Sequence, residues 1–150
     1  MRVVLQRVEC AAVKVNGVEV ARIGRGLLAL VGIARDDSAE DMEWTVRKIA
    51  GLRIFDDADG KLNLSLREIG GQLLLVSQFT LYGDCRKGRR PSYSDAAPPT
   101  EAENMYRQFV EIARKSIPDV QTGQFQAMMD VSLTNSGPVT LILDSRKTFE

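Results

Sequence analysis

The run Leu27-Leu28-Ala29-Leu30-Val31-Gly32-Ile33 constrains the fold more than any other segment. It is apolar at every position, with no alternation, so as a strand it has no face to give to water. The chain must therefore build a layer on each side of it. Gln72 to Thr80 (Gln-Leu-Leu-Leu-Val-Ser-Gln-Phe-Thr) reads as a second central strand. Asn16-Gly17 lies between the alternating runs Ala12–Val15 and Val18–Ala21. It predicts a hairpin, because both central residues of a type I′ turn need positive φ.

Around these strands the sequence supplies covering elements. Residues 2–9 read as a strand, and Arg53-Ile54-Phe55 as a short one followed by the turn Asp57–Gly60. Ser38 opens a helix with Asp41 three residues later, and Met42, Val46, Ile49 and Ala50 share one face. Thr100 and Glu103 predict a capping box for a second helix, whose buried stripe is Ala102, Tyr106, Phe109, Val110, Ala113 and Ile117. Two strands, about Phe125 to Thr134 and Val139 to Leu143, are expected on either side of a Ser136-Gly137-Pro138 turn, with a polar tail ending at Glu150. The fold class is α+β: a mostly antiparallel sheet or barrel with two main helices packed on it, one domain over 1–150. A chain of 150 residues suffices for such a core.

Formal net charge is zero, which argues against holding nucleic acid by bulk electrostatics. No secretory leader is visible, because Arg7 interrupts the short apolar start, and no run approaches the ~20 apolar residues of a membrane span. Cys10 and Cys85 are far apart and read as free thiols in a reducing cytoplasm. The chain has no histidine. That excludes a Ser-His or Cys-His pair built within it, and no metal or other cofactor is expected. Catalysis would have to use carboxylates, hydroxyls, backbone amides or the substrate's own groups.

Three places carry polar groups that need a purpose. Ser77-Gln78-Phe79-Thr80 ends the central strand, where the pleat would set Ser77 and Phe79 on one face and Gln78 and Thr80 on the other. It reads either as polar groups satisfied by neighbouring backbone or as a site. Asn135-Ser136-Gly137-Pro138 reads either as a plain turn or as one presenting rigid carbonyls to a ligand. Arg86-Lys87-Gly88-Arg89-Arg90, with Tyr93 close by, lies in a long aperiodic segment, Leu81–Pro99. It reads either as a solvated loop or as a contact for RNA phosphates. The pairs Asp36-Asp37 and Asp56-Asp57 read as turn residues.

Ser77-Gln78-Phe79-Thr80-Leu81-Tyr82-Gly83 and Asn135-Ser136-Gly137-Pro138-Val139-Thr140 together resemble the two signatures of D-aminoacyl-tRNA deacylases. Gln6-Arg7-Val8, Gly88-Arg89-Arg90-Pro91-Ser92 and Thr122-Gly123-Gln124-Phe125 extend the resemblance in order over essentially the whole chain.

The resemblance implies a homodimeric, cofactor-free hydrolase that cuts the ester of D-aminoacyl-tRNA at its 3′ end, with glycyl-tRNA also open to attack. Its active sites would lie at the subunit interface. A cis Gly137-Pro138 element, followed by Val139 and braced by Arg7, would enter the partner's site and exclude L side chains by collision. Ser77, Gln78, Phe79 and Thr80 would line the catalytic site, with the Phe79 N–H stabilising the oxyanion and a ribose hydroxyl helping to activate water. Phe125 and Met129 would hold the adenine; Met128 departs from the acidic residue expected beside them. Ser77, where a related branch has proline, favours the D-specific branch over one that clears L-alanine from mischarged tRNA. A non-catalytic RNA-end binding module and a purely structural protein are the alternatives from other classes.

Overall fold

In the computed structural model, which describes residues 1–148, a six-stranded mixed sheet carries both helices on one face over the main core and holds a second apolar cluster on the other. The tail end at Glu150 lies outside the described residues. Strand β1 (Arg2–Val15) is the organiser, uniting the expected strand 2–9 with the first arm of the hairpin. Its second half pairs with β2 (Val18–Ile23) through the expected turn, where Asn16 and Gly17 have φ of 51° and 77°. Its first half pairs with β3 (Gly26–Gly32).

Helix α1 (Ala39–Gly51) follows, then the small hairpin of β4 (Phe55–Asp56) and β5 (Leu62–Leu64). The expected strand 53–55 is therefore shifted, and its ladder begins only at Phe55. Strand β6 (Gln72–Ser77) lies parallel to β3, and β7 (Val120–Thr122) parallel to β6. Helix α2 (Pro99–Ser116) connects them across the helical face. Strand β8 (Met129–Asp144) pairs antiparallel with nearly the whole of β1, along its remaining edge. Strand β2 packs towards β6 and β7, which bends the sheet towards closure.

The predicted double-sided burial holds residue by residue. Leu27, Ala29 and Val31 of β3 face the helices with Leu73 and Leu75 of β6, against Ile49, Phe109 and Ala113. Leu28, Leu74 and Val76 point the other way, into a second cluster with Val8, Ala11, Val13, Ala21 and Ile23. Phe109 is fully buried, so truncating it to alanine would cost about 3–5 kcal/mol.

Three local expectations are corrected. The Ser38–Asp41 box forms in both directions, but Thr100 does not cap α2. Pro98 is the N-cap residue and Pro99 the first helical one, where proline is suited because its missing N–H is an orphan there anyway. Glu103 pairs with Arg107 instead, at 2.9 Å. Nor is Ser136-Gly137-Pro138 a turn between two strands. β8 runs straight through it, paired with β1 on both sides, and a register shift near Val8 absorbs the bend. The strand also begins at Met129, leaving Phe125 in a preceding turn.

Candidate active site

A cleft of about 720 Å³ opens where β6 ends. The strand stops at Ser77, and Phe79–Tyr82 form a 3₁₀ turn. Gln78 continues the ladder by donating its N–H to Val31 O at 2.7 Å. The turn can lie this close because position 32 is glycine: a Cβ there would sit 3.1 Å from Leu81 Cβ and 3.2 Å from Gln78 O. Phe79 thus leaves the pleat, and the expected alternation of Ser77 and Phe79 on one face does not apply. Leu81 N–H is bonded to Gln78 O at 3.2 Å. The N–H groups of Phe79 and Thr80 come before it, where a 3₁₀ turn supplies no carbonyl of its own.

Ser77, Gln78 and Phe79 line the cleft. Thr80 is not in its lining; its hydroxyl accepts a short hydrogen bond from Gln78 Nε2. Phe79 is 54% exposed and meets Tyr93 edge-on, with ring centroids 5.2 Å apart. Arg35 lines the mouth and donates to Ser94 O at 2.8 Å. The opposite wall holds Phe125 and Met129. Phe125 stacks on Tyr106 at 5.9 Å, and the Tyr106 hydroxyl donates to Leu75 O at 3.0 Å. Burial pushes the Tyr106 phenol above its ordinary range, so it stays neutral. Met128 is 92% exposed and does not line the cleft.

Arg7, Gly137, Pro138 and Val139 form a second assembly. Arg7 is largely buried; its Nε donates to Ser136 O at 3.0 Å and one terminal nitrogen to Ile54 O at 2.9 Å, with Asp56 3.6 Å away. Asn135 Nδ2 donates to Arg7 O at 2.9 Å and Val139 O at 3.1 Å. Val139 packs into the core, whereas Gly137 and Pro138 are exposed. The Gly137–Pro138 peptide is cis. A Cβ at Gly137 would meet nothing closer than 3.7 Å, so nothing within this chain demands glycine there.

The two assemblies are separate within one chain. Gly137 and Pro138 sit opposite Arg7, which pairs with Leu27, which pairs with Leu73. Ser77 is four residues further along β6 and three strands across, roughly 20 Å along the sheet at standard strand spacings. Ser77, Gln78, Phe79, Phe125 and Met129 are brought together in one cleft, with Thr80 bonded to Gln78 beside it; Arg7 and residues 137–139 are not brought to them.

The sequence reading did not single out Arg35, Ile33 or the 96–99 segment as cleft residues, nor Asn135 as a brace. The long aperiodic stretch 81–99 was the available signal for the cleft rim; for Asn135 the signal was its place beside Ser136-Gly137-Pro138, which does not by itself reveal the bonds it makes to Arg7 and Val139. The basic segment is a projecting loop closed by an Asp84–Ser92 bridge. Arg86 doubles back onto Asp84 at 2.6 and 2.9 Å and pulls that carboxyl down to about 2.

A helix-backed mixed barrel with this cleft at the end of a parallel strand pair defines a known class of small α+β protein. The solved "c-Myc DNA Unwinding Element Binding Protein" superposes with a TM-score of 0.92 at 40% identity, covering 96% of this chain and 98% of that one. A probable eukaryotic D-amino acid tRNA deacylase shares the fold, with a TM-score of 0.80 at 22% identity, covering 95% and 97%. The chain belongs to the D-Tyr-tRNA(Tyr) deacylase family, whose model matches residues 4–144. Curated relatives named D-aminoacyl-tRNA deacylase agree over almost the full length. That of Thermosipho africanus is 57% identical over 149 residues, 99% of this chain and 100% of the relative. That of Desulfatibacillum aliphaticivorans is 58% identical over 146 residues, 97% and 100%.

Proposed function

We propose that this chain is a D-aminoacyl-tRNA deacylase, hydrolysing the ester between a D-amino acid and the 3′-terminal adenosine of tRNA. We propose that two copies form the working unit. The observation that carries the dimer is the separation of its two halves: a cleft with main-chain N–H groups at one place, and a braced, exposed Gly137-Pro138 bend at another. A second copy can bring one protomer's bend to its partner's cleft.

Carbonyl oxygens of the bend then hold the substrate's α-amino group. An L side chain would run into Gly-Pro main chain, whereas a D side chain points to open space. Glycine, with no side chain, is also a substrate. The adenine lies against Phe125 and Met129, where apolar and stacking contacts suffice. A ribose hydroxyl of the substrate helps position water, whose oxygen adds to the ester carbonyl. The Phe79 N–H stabilises the oxyanion as it forms. The C–O bond to the ribose then breaks, the ribose oxygen takes up the proton, and amino acid and tRNA separate. Cys10 and Cys85 are unpaired thiols, which suits work in a reducing cytoplasm.

The test is single-turnover deacylation of D-tyrosyl-, L-tyrosyl-, glycyl- and L-alanyl-tRNA, with the mass in solution measured by sedimentation. Hydrolysis of the D-tyrosyl and glycyl esters by a dimer, with the L-tyrosyl ester spared, is expected. Preference for L-alanyl-tRNA would move the chain to the related branch. Binding without turnover would make it an RNA-end module.

A further inference from the structure

The loop 86–90 contains four basic side chains, but they are not equivalent. Arg86 is tied to Asp84 and contributes little free charge. Lys87, Arg89 and Arg90 are exposed and make no ion pair among the described residues. The Asp84–Ser92 bridge closes the loop's base, with both backbone bonds formed at 2.7 and 3.0 Å. One residue beyond Ser92, Tyr93 enters the cleft lining against Phe79. A compact cationic finger therefore stands beside the cleft mouth of a chain whose overall charge is zero.

We infer that Lys87, Arg89 and Arg90 form a phosphate-binding finger for the RNA strand leading away from the aminoacylated end. This rests on the deacylase reading and adds to it a source of affinity. Contacts to phosphates position the RNA without reading sequence. The cleft holds the terminal aminoacyl-nucleoside, and the finger engages the backbone behind it. Rate on a full tRNA then depends on salt, and rate on a bare nucleoside ester does not.

The experiment compares wild type with the triple variant Lys87→Ala/Arg89→Ala/Arg90→Ala on two substrates, D-tyrosyl-tRNA and D-tyrosyl-adenosine. kcat/KM is measured between about 50 and 200 mM KCl. The variant should lose at least about tenfold on the tRNA at low salt, through KM. Its log–log salt slope should be shallower by about 2–3, since each phosphate contact contributes about 0.7–0.9. Its rate on D-tyrosyl-adenosine should equal that of wild type. Equal loss on both substrates would overturn the inference, because the loop would then be shaping the cleft itself. An unchanged salt slope on the tRNA would overturn it too. If wild type cleaved neither ester, the deacylase reading would fall with it, an outcome distinguishable from failure of the finger alone.

Discussion

Arg7 and Asn135 brace one bend from two sides: the Arg7 guanidinium donates to Ser136 O at 3.0 Å, while the Asn135 amide donates to Arg7 O at 2.9 Å. A second Asn135 bond, to Val139 O at 3.1 Å, closes the far end. The exposed bend is therefore held by the largely buried Arg7 on one strand and by Asn135 on the other. Asn135→Ala removes two donors and should cost about 1–3 kcal/mol of stability. Loosening the bend should also slow deacylation by about 10–100-fold. Thermal denaturation and kcat on the same preparation check both; an unchanged kcat would detach the brace from catalysis.

Gly137→Ala separates folding from function. The added methyl finds ordinary contact distances within the chain, 3.7 Å from Asn135 Oδ1. Melting temperature should stay close to wild type, while in the proposed dimer turnover of D-aminoacyl-tRNA falls by about 100-fold, the methyl entering the space proposed for substrate. A wild-type rate would remove Gly137 from the site.

Thr80→Ala tests the nucleophile. The hydroxyl already accepts from Gln78 Nε2, and the chain has no imidazole to take its proton. Loss should stay within about tenfold, the scale of a positioning contact. A fall beyond about 1000-fold with intact substrate binding would restore Thr80 as the attacking group.

Gly32→Ala acts on the cleft from behind. Its Cβ would press Leu81 Cβ at 3.1 Å and Gln78 O at 3.2 Å, so the 3₁₀ turn must move by a few tenths of an ångström. We expect kcat to fall by about tenfold with little change in KM, because the Phe79 N–H is displaced. A change confined to stability would show that the turn's position is not critical.

Asp84 supplies a pH dependence. Hydrogen bonds from Arg86 hold its folded pKa at about 2, below the ordinary value of about 3.9. The ionised form is thus favoured by folding. Its contribution to holding the loop is complete above about pH 4 and is lost as pH falls through about 2. A carboxyl carbon titration by NMR should give the low midpoint, and Arg86→Ala should return it towards the ordinary value.

The strands and their faces were legible because burial imposes a period. Leu27, Ala29 and Val31 against Leu28 follow from a run with no polar position, and Met42, Val46, Ile49 and Ala50 from helical spacing. What escaped depends on partners distant in sequence. Phe79 leaves the strand because Gly32, on a neighbouring strand, lets the turn settle there. A Gly-Pro pair marks a bend, but only the continuous partner β1 decides that the bend is an irregularity within one strand. Thr100 and Glu103 satisfied a local pattern that two prolines pre-empted. Ser77, Gln78, Phe79, Phe125 and Met129 line one cleft, while Thr80 does not.

Strand β1 has three neighbours, and the last of them is made last. Arg2 pairs with Asp144, and Val15 with Met129. During synthesis the first strand must wait with one long edge bare until the final one leaves the ribosome. Such distant pairing is slow to find, and a bare edge is what other chains stick to. Cells making this protein quickly should therefore need chaperone protection for the nascent chain, and trapping of unreleased chains should end once residues 129–144 are free to dock.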